Sequence, residues 1–337
     1  MSPADNDLCG GPSRTAAQDT AHTQTPVEMT KESMRHLLVP EDLSAHEIET
    51  IFAISQDLET KYDAGIREAL FPGRVLALVF EKQSLRTRVS FQTAMVHLGG
   101  SSLFLGADTG FASSRESLDD FGRVLSEYVD CIACRSKSHA TLEALAAVSS
   151  VPVINALSDF SHPCQALADC YTLRSRFGRL SDLTFAFVGD GNNMARSLAV
   201  TCGLLGMRFV LAAPEAYQFD ATFQEHLQTI LPDAQIEQTT DPVAAVQGAV
   251  AVYTDVWASM GQESEREVRQ AAFQPYQVNA LLMGHCPDAV FMHCLPARRG
   301  EEVTDEVIDG PQSVVVAQAA NRLHLQKGLL AWLLGHD

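Results

Sequence analysis

Short apolar runs alternate along this chain with stretches whose apolar positions recur at three- and four-residue spacing. The runs fall at 75–81, 102–105, 130–135, 151–156, 183–189, 208–213, 249–254, 289–294 and 313–317, and each is read as a strand. Helical spacing fills most of the gaps. After the first run, Phe91, Ala94, Met95 and Leu98 follow the i, i+3, i+4, i+7 rule of an amphipathic helix. A further helix is expected from Glu41 to Leu58, with Leu43 and Ser44 near its start and Ile48, Ile51 and Phe52 on one face. This strand–helix rhythm predicts an α/β fold of parallel sheets with helices on both faces.

Two doubly wound halves are expected, divided near Arg174-Ser175-Arg176-Phe177-Gly178-Arg179. One domain then covers 34–175 and the other 176–318, with a last helix in 319–337 (roughly 319–334) returning to the first. Residues 1–33 are rich in Ser, Thr, Gly, Pro, Ala, Gln and Asp and are read as a disordered extension.

The residues directly after the expected strands are polar or reactive: Ser84 to Arg88, Arg135, His162, Gly189 to Asn193, Asp255 and Cys294. Open parallel sheets bind ligands outside the carboxyl ends of their strands. Two such edges facing each other would form an interdomain active-site cleft.

Ser84-Leu85-Arg86-Thr87-Arg88 turns a strand into a helix, with Ser84 as a candidate N-cap. Two guanidiniums, two hydroxyls and the free N–H groups of a first turn suit a phosphate or similar dianion; the alternative is a solvated basic helix start. His162-Pro163-Cys164-Gln165 opens another helix, with Pro163 at the favoured first position. Its His and Gln can together hold a carbonyl oxygen and an amide nitrogen, or the His can simply cap. Arg135 at a strand end is either solvated or a ligand clamp. Cys131 and Cys134 form C-x-x-C inside a strand pattern, where alternation separates the side chains, and no second pair exists to complete a metal site.

Gly189-Asp190-Gly191-Asn192-Asn193 is an incomplete dinucleotide fingerprint. Met194 takes the third glycine's place and no ribose-binding acid stands at the right distance. A nucleotide-dependent dehydrogenase is therefore a distant reading. Asn193 offers an amide to a carboxylate or amine. Asp255 could hold a substrate ammonium or cap the segment after it. Cys294 could be a nucleophile, a proton acceptor, a polar anchor or an inert thiol. Arg322 opens the last helix and could reach back to the same anion.

Composition narrows the partners. The chain has 337 residues, 46% of them hydrophobic, and a net charge of -18 with no Lys/Arg run. Nucleic acid and acidic membranes are disfavoured, so anion binding is expected only in specific pockets. The eight cysteines are scattered rather than arranged as a secreted disulfide framework. No apolar segment is long enough to span a bilayer, and the N-terminus reads as neither signal nor transit peptide. A reducing, cytoplasmic setting is expected.

In this order the motifs S-x-R-T-R, the strand-ending Arg135, H-P-C-Q, G-D-G-N-N, D-V-W-A-S-M-G (255–261) and H-C-L-P (293–296) resemble the ornithine carbamoyltransferases. The resemblance runs from about Met34 to Leu334. The first half also resembles aspartate carbamoyltransferases, whereas D-x-x-x-S-M-G and H-C-L-P favour the ornithine branch. The resemblance implies that Ser84, Leu85 (through its backbone N–H), Arg86 and Thr87 cradle the phosphate of carbamoyl phosphate. It implies that Arg135 bridges phosphate and carbonyl oxygen, that His162 and Gln165 fix the carbamoyl group, and that Arg322 and the carbonyls of Cys294 and Leu295 complete the pocket. Asn193, Asp255, Ser259 and Met260 would bind L-ornithine, with Cys294 paired to Asp255 near the attacking amine. Arg86, Arg135, His162 and Cys294 would be the catalytic set. No metal or organic cofactor is implied. Homotrimers or multiples of trimers, and a place in arginine biosynthesis, are implied as well.

Three positions depart from the family pattern. Leu85 replaces the usual Thr, Phe111 replaces a Gln in the 108–116 loop with Arg115 close by, and Arg298 stands where many members have His. Acceptance of another amine, such as putrescine or an N-acylated ornithine, and a non-catalytic binding role are the alternatives these departures raise.

Overall fold

The computed structural model describes residues 34–107, 116–258 and 263–335. The extension at 1–33 and the loop containing Phe111 and Arg115 lie outside the described residues, as do Ser259 and Met260.

In chain order the first half contains α1 (Ala45–Asp63), β1 (Val75–Phe80), α2 (Leu85–His97), β2 (Ser101–Leu105), α3 (Leu118–Ser126), β3 (Cys131–Arg135), α4 (His139–Val148), β4 (Val153–Leu157) and α5 (Pro163–Phe177). The second contains β5 (Thr184–Val188), α6 (Asn193–Leu204), β6 (Arg208–Ala212), α7 (Ala221–Ile230), β7 (Ile236–Thr239), α8 (Pro242–Val246), β8 (Ala249–Tyr253), α9 (Arg266–Phe273), α10 (Ala280–Met283), β9 (Val290–Met292), α11 (Asp305–Ile308) and α12 (Val315–Leu334).

Among the described residues the strands form two sheets, ordered β2-β1-β3-β4 and β7-β6-β5-β8-β9. Every pairing is parallel. The strand order reverses direction between β1 and β3 in one sheet and between β5 and β8 in the other. Such switch points open a crevice at the carboxyl edge. Ser84–Thr87, Arg135, the G-D-G-N-N segment and Asp255 follow these four strands, so topology alone brings them to two crevices.

The first sheet shows why its strands read as continuous apolar runs. Leu76, Leu78, Phe80, Cys131 and Ala133 face one core cluster. Ala77, Val79, Ile132 and Cys134 face another. Both faces are covered, as expected for a parallel sheet, and the two cysteines of C-x-x-C point to opposite sides.

Helix α1 begins later than the Glu41 start read from the pattern. Pro40–Asp42 form a separate 3-10 turn. Ser44 then caps the helix, accepting from Glu47 N at 3.2 Å while the Glu47 carboxylate accepts from Ser44 N at 2.8 Å, a capping box. Arg174–Phe177 form the last turn of α5, which Gly178 ends at φ 76°.

Two readings of the pattern are corrected. The run 313–317 is not a strand. Ser313 makes an isolated bridge to Phe291, and Val315 already opens α12. Three consecutive valines favour a strand locally, but the burial of Val315, Gln318, Arg322, Leu325 and Leu329 follows helical spacing, and tertiary packing decides. The second sheet also gains an edge strand, β7, whose Ile-Glu-Gln-Thr sequence carries one apolar residue and gives no run to find.

Helix α12 packs against α1, α2 and α5, all in the first half. The contact with α1 is close at Gly328, where an added Cβ would meet Ser55 Oγ at 2.0 Å and Ile51 O at 2.8 Å. No helix among the described residues is long and apolar enough to cross a membrane. Gly328→Ala should destabilise the fold by about 2 kcal/mol through overpacking; denaturant melts of the two proteins measure it, and equal midpoints would contradict this view of the helix contact.

Candidate active site

The start of α2 presents its capping hydroxyl and first turn to the cleft, with one difference from the sequence reading. Ser84 caps the helix: its Oγ accepts from Thr87 N at 3.4 Å and donates to Thr87 Oγ1 at 3.0 Å. Leu85 and Arg86 project toward the cleft, Leu85 with 76% of its surface exposed. Arg88 does not join them. Its guanidinium lies 3.7 Å over the Phe104 ring and its Nε donates to Gln92 Oε1 at 3.2 Å. One guanidinium of the pair, Arg86, is therefore offered at this turn, because position i+2 of a helix points away from its neighbour.

The second cation comes from α12. Arg322 Nη2 donates to Thr87 Oγ1 at 3.1 Å, and its Nη1 donates to Gln165 Oε1. Arg135, at the end of β3, supplies the third. Arg135 and Arg322 are only 7% and 5% exposed. Burial, and the charge of Arg322 beside it, lower Arg135 to about 10. Burial likewise lowers Arg322. His162, 6% exposed, is held well below its ordinary value by burial and then by Arg322 and Arg135, so its imidazole is neutral. Arg135 Nε, Arg322 Nε and His162 Nδ1 are buried without a hydrogen-bond partner. Unpaired donors in a desolvated site are costly, and an anionic, carbonyl-bearing ligand satisfies them.

Gln165 is oriented by residues that the sequence reading passed over. Its Nε2 donates to Asp169 Oδ1 at 2.8 Å. Gln318 Nε2 donates to the same oxygen at 2.7 Å, and Gln318 Oε1 accepts from His293 N at 3.0 Å. Burial pushes the Asp169 carboxyl up to about 7 against the pull of those amide donors. Asp169 was legible as a lone acid, four residues after Gln165, in an otherwise buried helix.

The opposite wall comes from the second sheet. Asn192, rather than Asn193, caps α6: its Oδ1 accepts from Met194 N and Ala195 N at 2.9 and 3.1 Å. Asn193 lines the cleft and donates from Nδ2 to Ser158 O at 2.6 Å. At Gly191 a Cβ would lie 2.9 Å from Tyr217 O, so the loop passes too close for any side chain. Asp190 pairs with Arg269 from α9 at 2.8 Å, a partner 79 positions away that no local pattern reveals.

Asp255 Oδ1 accepts from Cys294 Sγ at 3.2 Å and from Val256 N at 2.8 Å, and Oδ2 accepts from Asn192 Nδ2 at 3.3 Å. Desolvation and the Asp255 carboxylate hold the Cys294 thiol well above its ordinary value. Cys294 thus donates to Asp255 and anchors it, and the raised thiol disfavours the thiolate on which the nucleophile and proton-acceptor readings depend.

Leu295 has φ 58°, a left-handed conformation rare outside glycine. The turn is held from behind. Leu295 N donates to His293 Nδ1 at 2.8 Å, and His293 Nε2 meets Glu302 Oε1 at 3.2 Å, both side chains fully buried. Asp255, His293 and Cys294 bring donor atoms within 4.8 Å of one another, but both His293 nitrogens are committed to these protein partners. All of the described candidates—Ser84, Leu85, Arg86, Thr87, Arg135, His162, Gln165, Asn193, Asp255, Cys294, Leu295 and Arg322—line one cleft of about 1160 Å³.

Two family models match the chain: the aspartate/ornithine carbamoyltransferase carbamoyl-P binding domain over residues 35–175, and the Asp/Orn binding domain over 181–333. The chain is 49% identical to an ornithine carbamoyltransferase of Pyrococcus abyssi over 89% of its own length and 96% of the relative's. It is 48% identical to an anabolic ornithine carbamoyltransferase of Pyrococcus furiosus, with the same coverage. Among solved structures it resembles an ornithine carbamoyltransferase of Pyrococcus furiosus, with a TM-score of 0.87 and 47% identity over 90% of this chain and 98% of that one. The Thermus thermophilus enzyme of the same name gives 0.80 and 41% identity over 89% and 99%.

Between the ordinary carboxyl range and pH about 7 the folded chain keeps a proton on Asp169 that the unfolded chain has released. This group's contribution to stability therefore falls as pH rises through that window. Asp169→Asn should gain melting temperature over the parent at pH 8 and not at pH 5; thermal melts at both values test it, and a gap that does not widen with pH contradicts the assignment.

Proposed function

The chain belongs to the aspartate/ornithine carbamoyltransferase family, and we propose that its cleft transfers the carbamoyl group of carbamoyl phosphate to the δ-amine of L-ornithine, giving L-citrulline and phosphate. The observation that carries this reading is the group of buried, unpartnered donors on Arg135, Arg322 and His162 beside the capped start of α2, facing Asp255 across one cleft.

The roles follow from charge. Phosphate oxygens meet the α2 N–H groups, Ser84, Thr87, Arg86 and Arg322, where helix dipole and guanidinium agree. The carbamoyl oxygen lies against Arg135 and His162, and the carbamoyl nitrogen against Gln165 and the Cys294 and Leu295 carbonyls. The neutral amine attacks the carbonyl carbon. Negative charge grows on the carbonyl oxygen, where preorganised donors stabilise it. The new C–N bond forms, the C–O bond to phosphate breaks, the electron pair leaves with phosphate into a site that already neutralises it, and the attacking nitrogen gives up one proton to the departing phosphate. A neutral His162 can donate one N–H here without adding a third buried charge.

Asp255, steadied by Cys294 and Asn192, takes the α-ammonium of ornithine. Asn193, with Ser259 and Met260, completes the acceptor site. Residues 34–175 with the C-terminal helix then form the carbamoyl-phosphate half, and 176–318 the ornithine half. We further assign the protein to the cytoplasm and to arginine biosynthesis, the anabolic role named for one relative. A homotrimer, or a multiple of trimers, is supported by the exposed apolar residues Leu85, Val89 and Val96 of α2, the first of which lines the cleft.

A citrulline assay tests the reaction. Arg86→Ala and His162→Ala should each lose about 3 kcal/mol of transition-state stabilisation, the scale of an oxyanion donor; near-normal turnover in either variant removes that residue from its role. Initial rates should be highest with ornithine and much lower with putrescine, which lacks the α-carboxylate, and N-acetylornithine, which lacks the free α-ammonium. Equal rates on those two amines would sink the acceptor assignment.

A further inference from the structure

We propose that Asp169 is a positioning residue for the transfer step: its Oδ1 sets the rotation of the Gln165 carboxamide and the aim of Arg322, and through Gln318 ties both to the turn at His293–Leu295. The inference rests on the activity proposed above.

The two ends of a carboxamide have nearly the same shape, so packing cannot choose between them. A carboxylate can. Asp169 Oδ1 accepts in both contacts, so Gln165 and Gln318 each present nitrogen to it, at 2.8 and 2.7 Å. Gln165 Oε1 is then turned toward Arg322 Nη1, and Gln318 Oε1 toward His293 N. Rotated by half a turn, Gln165 would set oxygen against carboxylate and NH2 against guanidinium. All of these groups are buried, where such mismatches are most costly.

The consequence reaches the ligand side. With Nη1 on Gln165 and Nη2 on Thr87, Arg322 keeps its buried Nε without a hydrogen-bond partner. Gln165 keeps its second N–H. A continuous run of hydrogen bonds links Thr87, Arg322, Gln165, Asp169, Gln318 and His293, from the start of α2 to the turn after β9. It joins the carboxyl edges of both sheets through the interior. Asp169 does not itself line the cleft and reaches it only through Gln165, which makes its role one of aim rather than contact.

Steady-state kinetics of citrulline formation test this with Asp169→Ala, Asp169→Asn, Gln165→Ala and the Asp169→Ala/Gln165→Ala pair. Asp169→Ala should lower kcat on the order of 100-fold, the cost of misplacing a reacting group, with a smaller change in KM for carbamoyl phosphate. In the Gln165→Ala background the same change should cost no more than about 3-fold, because the two residues act as one. Asp169→Asn keeps an accepting oxygen and should restore kcat to within about 3-fold of the parent. Asp169→Leu, which fills the space without an acceptor, replaces the alanine variant if that chain does not fold. Additive losses in the double variant, or Asp169→Asn as slow as Asp169→Ala, overturn the positioning role while leaving the activity standing. No citrulline from the parent protein overturns both.

Discussion

Arg135 and Arg322 share one desolvated space, and neither has a carboxylate within ion-pair distance among the described residues. Burial of an uncompensated cation costs several kcal/mol. The fold tolerates two of them because neutral oxygens hold Arg322, from Thr87 and Gln165, and because the rest of the core is well covered. The arrangement leaves a standing demand for negative charge at one place. A doubly charged acyl phosphate meets that demand and loses none of it when the bond from carbonyl carbon to phosphate oxygen breaks.

The neighbouring groups are arranged so that nothing else meets it first. Asp169 is close, but its Oδ1 is occupied by two amides and its carboxyl is pushed toward neutrality by burial. Asp255 lies on the far wall, where Cys294, Asn192 and Val256 donate to it. His162 is neutral, so it offers a donor without repelling the guanidiniums further. Separation of charge across the cleft, cations on one edge and carboxylate on the other, matches a substrate pair in which one partner is an anion and the other carries an ammonium. In a low-dielectric cleft that separation also orients the pair for attack on the carbonyl carbon.

Most of this was legible in the chain because its information is local. Strand-then-polar punctuation at Ser84, Arg135, His162, Asn193, Asp255 and Cys294 marks the carboxyl edges, and parallel topology does the rest. What escaped was non-local or side-chain specific. Arg88 follows the same motif as Arg86 but finds Phe104, which only the packed structure supplies. The pairing of Asp190 with Arg269 and the linkage of Gln165 to Gln318 through Asp169 span 79 and more than 140 positions. The valines at 314–316 carry a strand preference that the packing of α12 overrides, and β7 is too polar to announce itself.

The central claim is that the buried guanidiniums exist to hold the phosphoryl end of the donor. A crystal structure with a bisubstrate mimic, a phosphonate joined to ornithine, tests it most directly. The account predicts phosphonate oxygens within hydrogen-bond distance of Arg86, Arg135 and Arg322 at the start of α2, and the ornithine ammonium beside Asp255. A phosphonate bound away from those three arginines would contradict it.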